Sequence, residues 1–406
     1  MNKEKNNQFL YKRIFVIVAD SLGVGALPDA ASYGDLGTNT LEHIANRVNQ
    51  FRAPFLEKLG LGNLINSKRL KSVDSPLAVV TKLQEISVGK DTLTGHFELM
   101  GLKVTKPFPS FTETGFPREL IEKLENFAKR PVIGNVAASG TEIIKELGEE
   151  QIKTGALIVY TSADSVLQIA ANEEIIPLSE LYDICAYARK ITLENPNWMV
   201  GRIIARPFVG RTAETFVRTT NRHDYAVKPF GKTMLDQLKD HNYDVIAVGK
   251  INDIFDGEGI TEFYRTKSNS DGMQITTSLL SKDFTGICFT NLVDFDALYG
   301  HRRNPQGYAE AIMTFDGELE AMCSKLNDDD LVMVVADHGN DPTHSGTDHT
   351  REYVPLVCYA KKIKGQTLPT FESHACVACT IAENFNLPNL TPSYGKSLLK
   401  YLKEEV

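Results

Sequence analysis

The stretch LVMVVADHGN, residues 331–340, is an apolar run that ends in an aspartate and a histidine. Short runs of this kind are typical of buried strands in parallel sheets. Ligands of open α/β sheets bind beyond the carboxyl ends of such strands, so polar residues that follow different strands can meet at one edge. Two other runs have the same form, IFVIVA before Asp20 and CFTNLV before Asp294. The pattern predicts an α/β core with a doubly wound, mostly parallel sheet and a polar site at its edge.

Aspartates and histidines dominate the residues that follow these runs. Three of the nine histidines lie in DHGNDPTHSGTDH, residues 337–349, and Gly300-His301 follows the second run. Carboxylate and neutral imidazole together suit divalent Mn, Fe, Co or Zn. We therefore predict a metal centre with two ions. Its candidate ligands are Asp296, His301, Asp337, His338 and His349. Asp20 also follows a strand, although an isolated aspartate in this position would be interpreted as the N-cap of the segment after it.

Some nearby residues have a second interpretation. His344 could orient a ligand rather than bind an ion. Strand alternation would place Asp294 and Asp296 on one face, where one binds metal and the other packs or caps. We favour Asp296 as the ligand because it lies nearer to His301.

The segment DTLTGHFE, residues 91–98, is predicted to start a helix at Asp91-Thr92. A phosphate held there would be stabilised by the helix dipole and by free N–H groups. Coordination to a divalent ion would make the threonine alkoxide accessible. The segment by itself indicates helix capping, but the neighbouring ligand set favours Thr92 as a nucleophile.

The pattern of the chain changes from about residue 119 to residue 223, where a compact α+β block has its own alternation of helices and strands. A chain of 406 residues is long for one core, so two domains are expected. We predict a core domain formed by residues 1–106 and 224–406, interrupted by an inserted α+β cap domain at 107–223. A cap joined by two linkers is suited to hinge motion.

Composition disfavours several classes of protein. A formal net charge of -8 disfavours a general nucleic-acid binder. No stretch approaches the ~20 apolar residues of a membrane span, and the first apolar run ends too early for a signal peptide. We therefore expect a cytoplasmic protein with reduced cysteines. Cys376 and Cys379 form a CxxC that we predict to be buried on a helix rather than to bind metal.

Four motifs in the chain resemble those of one family, the bacterial phosphopentomutase branch of the alkaline phosphatase superfamily. The motifs are Asp20-Ser21, GKDTLTGH (residues 89–96), NLVDFDALYGHRRN (residues 291–304) and ADHGNDPTHSGTDHTRE (residues 336–352).

This resemblance implies an isomerase that interconverts ribose (or deoxyribose) 1-phosphate and 5-phosphate through a phosphothreonine at Thr92. It also implies two Mn²⁺ ions and an activating sugar bisphosphate of the glucose 1,6-bisphosphate or ribose 1,5-bisphosphate type. Asp20, Asp337 and His338 match the ligands of one ion. Asp296, His301 and His349 match those of the other, with Thr92 bridging.

The same resemblance indicates which residues contact the pentose phosphate. Ser162, Asp164 and Val166 would alternate onto one face of an extended strand that faces the sugar. Arg202, Arg206 and Lys250 are candidate phosphate contacts, although each could also be a solvated surface charge.

Three competing functions stay open. A metal-dependent phosphohydrolase and a phosphoglycerate mutase of the same superfamily would share the metal site. A non-catalytic metal-bound sensor would need no nucleophile, so the intact Asp91-Thr92 disfavours it.

Overall fold

A computed structural model describes residues 9–162, 165–390 and 393–403. The chain divides into two compact units. The core unit consists of Met1–Lys106 and Pro229–Val406, and the inserted unit is Pro107–Lys228.

Strands and helices alternate along most of the chain. The strands are β1 (Arg13–Ala19), β2 (Val79–Leu83), β3 (Val132–Ala137), β4 (Leu157–Thr161), β5 (Val166–Asn172), β6 (Arg202–Val209), β7 (Val217–Arg218), β8 (His223–Ala226), β9 (Asp244–Val248), β10 (Glu262–Tyr264), β11 (Gly286–Leu292), β12 (Asp330–Val335), β13 (Val354–Tyr359) and β14 (Gln366–Thr367). The helices are α1 (Thr40–Arg47), α2 (Pro54–Leu59), α3 (Thr92–Leu99), α4 (Arg118–Ala128), α5 (Gly140–Thr154), α6 (Leu178–Glu194), α7 (Met234–Asp240), α8 (Ile251–Ile254), α9 (Asn269–Ser278), α10 (Pro305–Cys323) and α11 (Cys376–Asn384).

The core unit is built on an eight-stranded sheet of order β10-β9-β11-β1-β12-β13-β2-β14. Neighbours from β10 to β12 are parallel, while β13 is antiparallel to both β12 and β2. The three apolar runs form β11, β1 and β12 at the centre, where every residue is buried. Burial on both faces explains why these strands are apolar throughout rather than alternating. The predicted mostly parallel α/β core is confirmed.

Strand register brings the polar residues together. Val18 of β1 lies opposite Val335 of β12, and Ala19 lies opposite Leu292 of β11. These three strands therefore end at the same level of the sheet, so the residues that follow them emerge at one edge.

The inserted unit has a six-stranded sheet of order β3-β4-β5-β6-β7, with β8 also paired to β6. Helices α4 and α6 pack with Leu157 and Val159 of β4 in one apolar cluster. Helix α5 packs with Ile158 and Tyr160 in another cluster. Because successive strand residues point to opposite faces, the sheet lies between these two helical layers.

Two details of the inserted unit differ from expectation. The unit extends to Lys228, beyond the expected boundary at His223, because β8 pairs with β6. The predicted extended strand from Ser162 to Val166 is wrong, since β4 ends at Thr161 and the antiparallel β5 begins at Val166. Asp164 lies outside the described residues.

Two further features bear on the class of protein. Cys376 and Cys379 are buried within α11, one turn apart. In the part of the chain that the structure describes, no helix combines the length and the apolar character needed to cross a membrane.

Candidate metal centre

Three buried side chains at the ends of β1 and β12 form the first group of potential ligands, which we call the strand group: Asp20, Asp337 and His338. Nε2 of His338 lies 3.7 Å from Oδ1 of Asp20 and 3.2 Å from Oδ2 of Asp337. One ligand atom from each residue lies within 4.8 Å of the others. This spacing lets the three side chains hold one ion.

A second group, which we call the loop group, consists of Asp296, His301 and His349. Nε2 of His301 lies 3.1 Å from Oδ2 of Asp296 and 3.1 Å from Nε2 of His349. Nε2 of His349 lies 3.4 Å from Oδ1 of Asp296. His338 joins the two groups, because its ligand atom also lies within 4.8 Å of those of Asp296 and His349. All six predicted metal ligands therefore meet at one sheet edge.

Asp294 and Asp296 do not lie on one strand face as expected. Strand β11 ends at Leu292, and Phe295–Gly300 forms a turn of π-helix that follows it. Asp294 accepts a hydrogen bond from the backbone N–H of Asn269 (2.8 Å), whereas Asp296 is buried against the histidines. The π-helical turn thus separates a structural carboxylate from a ligand. Such turns often occur at functional sites.

The tautomers of the three histidines fit metal binding. Nδ1 of His301, His338 and His349 each faces a backbone carbonyl, at 2.6, 3.0 and 2.9 Å respectively. A carbonyl can only accept, so each Nδ1 carries the proton and each Nε2 keeps its lone pair. Two lone pairs that face each other between His301 and His349 require a cation or an added proton between them.

Two carboxylates of the strand group, like the facing nitrogens of His301 and His349, lack a cation or a proton as a partner. Oδ1 of Asp20 and Oδ2 of Asp337 are buried and have no hydrogen-bond donor within the described residues. Burial, followed by the nearby carboxylates of Asp337 and Asp296, raises the pKa of Asp20 to about 6. Unpaired acceptors of this kind suit divalent cations.

Thr92 is the first residue of α3, and its hydroxyl oxygen lies 3.3 Å from Nε2 of His338. Asp91 is the N-cap, and its carboxylate accepts from the N–H (3.1 Å) and the hydroxyl (2.5 Å) of Thr94. The hydroxyl of Thr94 is therefore engaged in the cap. The hydroxyl of Thr92, by contrast, lies at the start of the helix and faces the ligand groups.

Two buried residues beside the strand group were not predicted to have a role. Nδ1 of His96 lies 2.9 Å from the carbonyl of Thr92 and 3.1 Å from Oδ2 of Asp337. Asn291 donates to Oδ2 of Asp20 at 2.8 Å. These contacts fix the helix start and the carboxylates relative to one another. For Asn291, the sequence signal was an amide side chain at the end of an otherwise largely apolar strand.

The loop group is held by Arg303, which sequence reasoning also missed. Its guanidinium donates to the carbonyls of Gly300 (2.9 Å), Asp348 (3.0 Å) and Gly346, and to the side-chain oxygen of Asn340 (2.5 Å). Asn340 in turn donates to Oδ1 of Asp296 at 2.7 Å. We call this chain of contacts the Arg303 clamp. It joins the π-helical turn to the loop that carries His349.

His344 lies apart from both ligand groups, and its Nε2 is 3.1 Å from the carbonyl of Gly34. This contact is with a backbone carbonyl and not with a ligand side chain, so an orienting role for His344 stays a prediction.

The structure places most of the expected sugar contacts in the inserted unit. Val166 and Arg202 are direct neighbours across β5 and β6. Arg206 lies four residues after Arg202, on the same face of β6, and donates to Gln168 at 3.0 Å. Ser162 is in the connection after β4, and Lys250 is in the core unit, at the N-cap of α8.

Comparison with known proteins assigns the family. The sequence profile of the Metalloenzyme superfamily matches residues 12–389. The chain belongs to this superfamily. Membership confirms the expected alkaline phosphatase-like fold and a metal-dependent enzyme.

Three solved structures are similar to this chain over most of its length. A phosphoglycerate mutase from Leishmania mexicana, crystallised at low cobalt concentration, is 12% identical, with a TM-score of 0.51 over 97% of this chain and 98% of that chain. A Pyrococcus horikoshii protein is also 12% identical, with a TM-score of 0.48 over 93% and 97%. An alkaline phosphatase superfamily protein from Vibrio parahaemolyticus is 12% identical, with a TM-score of 0.46 over 98% and 72%.

Proposed function

We propose that this metalloenzyme is a phosphopentomutase, which interconverts ribose 1-phosphate or deoxyribose 1-phosphate and the corresponding 5-phosphate. The position of Thr92 is the observation that carries the proposal. Its hydroxyl lies at the start of α3 and 3.3 Å from His338, the residue shared by the two ligand groups. A hydroxyl so placed can hold a phosphoryl group between two transfers.

In the proposed cycle, phosphorylated Thr92 gives its phosphoryl group to the free hydroxyl of the pentose phosphate. The P–O bond to Thr92 breaks, a P–O bond to the sugar forms, and the sugar's proton passes to the Thr92 oxygen. The bisphosphate then returns its other phosphoryl group to Thr92 by the reverse chemistry. The positive end of α3 favours the charge of the phosphothreonine.

Asp20, Asp337 and His338 would hold one divalent ion, and Asp296, His301 and His349 the other. We propose Mn²⁺, which would supply Lewis acidity and lower the pKa of the Thr92 hydroxyl. A sugar bisphosphate of the glucose 1,6-bisphosphate or ribose 1,5-bisphosphate type would phosphorylate Thr92 before the first turnover. The residues proposed to contact the pentose phosphate are Ser162, Asp164, Val166, Arg202, Arg206 and Lys250.

Phosphorus NMR tests the proposal directly. The Mn²⁺-loaded protein would be given ribose 1-phosphate and a catalytic amount of glucose 1,6-bisphosphate. We expect ribose 5-phosphate to appear without a matching rise in free phosphate. Free phosphate as the main product would indicate a phosphohydrolase. Turnover of 3-phosphoglycerate, but not of the pentose, would indicate a phosphoglycerate mutase.

Substitutions at two neighbouring threonines locate the acceptor. Thr92→Ala should abolish turnover, whereas Thr92→Ser should keep part of it because a hydroxyl remains. Thr94→Ala is the matched control, since its hydroxyl bonds to Asp91. Mass spectrometry of the protein after treatment with the bisphosphate should find the added phosphoryl group on Thr92. A phosphoryl group on Thr94, or full activity of Thr92→Ala, would refute the assignment.

A further inference from the structure

Lys90, which comes two residues before Thr92, has its ammonium group between two carboxylates. Nζ donates to Oδ2 of Asp35 at 2.9 Å and lies 3.3 Å from Oδ2 of Asp348. The side chain of Lys90 is only 17% exposed, and that of Asp35 is 4% exposed. Lysine side chains usually keep their charged end in water. This placement therefore indicates a specific contact rather than a solvated surface charge.

The carboxylate of Asp348 extends this contact to a candidate metal ligand. Its Oδ1 accepts from the backbone N–H of His349 at 2.8 Å, while its Oδ2 faces Lys90. The ring of His349 returns to the same lysine, because its Nδ1 donates to the carbonyl of Lys90 at 2.9 Å. The side chain and the main chain of Lys90 thus hold both the backbone and the ring of His349.

Asp35 gives the ammonium group of Lys90 a fixed partner in the core unit. Its carboxylate also accepts from the backbone N–H of Arg351 at 2.9 Å. The guanidinium of Arg351 in turn donates to the carbonyl of Gly89 at 2.6 Å. The loop that carries His349 therefore contacts two successive residues of the segment that precedes the proposed nucleophile.

These contacts differ from the Arg303 clamp in the parts of the chain that they join. The clamp joins the π-helical turn to the loop of His349. Lys90 joins the same loop to the segment that begins α3, whose first residue is Thr92. Lys90 therefore relates the position of the loop group to that of the Thr92 hydroxyl.

We propose that Lys90 is a positioning residue, which sets the loop group at its working distance from the Thr92 hydroxyl through the contacts of its ammonium group with Asp35 and Asp348. The inference rests on the proposed function for the role of Thr92 as the phosphoryl acceptor. Residues that orient a metal-binding imidazole commonly change metal affinity or activity 10–100-fold when they are substituted. Lys90 acts through His349 and need not touch the substrate or an ion.

Calorimetric titration of the full-length protein with Mn²⁺ tests the effect on the loop group. Lys90→Met keeps the aliphatic part of the side chain and removes its charge. We expect the loop-group ion to bind about tenfold or more weakly and the strand-group ion to bind normally. Lys90→Arg should restore most of the affinity, because a guanidinium can still pair with both carboxylates. Lys232→Met removes an exposed lysine that pairs with Asp240 at 2.8 Å, and this control should bind both ions normally.

Hydrogen exchange measured by mass spectrometry separates positioning from a general loss of stability. In the unsubstituted protein, Mn²⁺ should slow amide exchange in peptides that cover residues 85–92, because His349 contacts this segment at Lys90. In Lys90→Met this slowing should be reduced, whereas the slowing around Asp20 should remain. A purely structural role would lower the melting temperature of the metal-free protein and leave both effects of Mn²⁺ unchanged. That result would overturn the proposal.

Asp348→Asn tests the same contact if Lys90→Met does not fold. It keeps an oxygen that can accept from His349 and removes the charge that faces Lys90. The affinity for the loop-group ion should fall in the same direction by a smaller factor. Binding of both ions by Asp348→Asn as tightly as by the unsubstituted protein would contradict the proposal.

The rate of phosphorylation of Thr92 tests the other side of the link. With Mn²⁺ at a concentration that fills both sites, glucose 1,6-bisphosphate should phosphorylate Lys90→Met about tenfold more slowly than the unsubstituted protein. An equal rate would show that Lys90 positions the loop group but not the nucleophile, and would overturn the proposal. If the unsubstituted protein forms no phosphothreonine, the mutase assignment fails, while calorimetry and hydrogen exchange still test the contact of Lys90 with the loop group.

Discussion

The strand group and the loop group reach the same place by different means. Asp20 and Asp337 follow neighbouring parallel strands, so the register of a buried sheet positions them. Asp296, His301 and His349 come from a π-helical turn and a loop, and side-chain contacts position them. The difference teaches that the proposed ion site of the strand group would depend on the core of the fold, whereas that of the loop group would depend on the Arg303 clamp. The two sites should therefore respond differently to substitution.

Substitution of His338 tests this comparison, because His338 lies where the two groups meet. Because its ligand atom lies within 4.8 Å of ligand atoms in both groups, His338→Ala should lose metal from both sites and abolish turnover. Elemental analysis after dialysis should find less than one ion per chain. His344→Ala is the matched control, since this histidine bonds to the carbonyl of Gly34, and it should keep two ions. Two ions retained in His338→Ala would show that the groups do not share this ligand.

Arg303 tests whether the loop group depends on its clamp. Arg303→Ala should weaken the loop-group ion about 10–100-fold and leave the strand-group ion bound tightly, since the clamp's side-chain contacts run through Asn340 to Asp296 and to the residue before His349. Calorimetric titration with Mn²⁺ would resolve the two affinities. Arg302→Ala, at the exposed neighbouring position, should leave both unchanged. Equal weakening of both ions by Arg303→Ala would contradict the independence of the two groups.

A smaller effect is expected at Asp341, at the start of the loop that carries His349. Burial raises the pKa of Asp341, but hydrogen bonds from His43, Asn39 and Thr343 outweigh it and bring the pKa to about 2. A carboxylate with a depressed pKa stabilises the fold above its unfolded pKa of ~3.9, and this contribution is lost as pH falls through the folded value. The shift corresponds to about 2–3 kcal/mol.

Asp341→Asn should therefore lower the free energy of unfolding by about 2–3 kcal/mol at neutral pH, and by progressively less as pH falls from ~4 toward ~2. Urea unfolding of the metal-free protein at several pH values would measure this difference. If the variant's free energy of unfolding were lower by the same amount at every pH in that range, the charge of the carboxylate would not contribute to stability.

The sequence predicted the strand group better than the loop group, for a physical reason. The apolar runs that end in Asp20 and Asp337 are typical of buried strands, and parallel strands end at a common edge of the sheet. The turn that separates Asp294 from Asp296 has no such signature, so strand alternation was wrongly extended across it. The Arg303 clamp depends on contacts between residues distant in sequence, such as those of Arg303 with Asn340 and with the carbonyls of Gly346 and Asp348. No local pattern encodes these.

The central claim is that six side chains at one sheet edge hold two ions. Anomalous diffraction from crystals soaked in Mn²⁺, recorded at the manganese absorption edge, tests it most directly. We predict two peaks, ~3.5–4 Å apart, one beside Asp20, Asp337 and His338 and the other beside Asp296, His301 and His349. A single peak at this edge, or two peaks at other residues, would contradict the account.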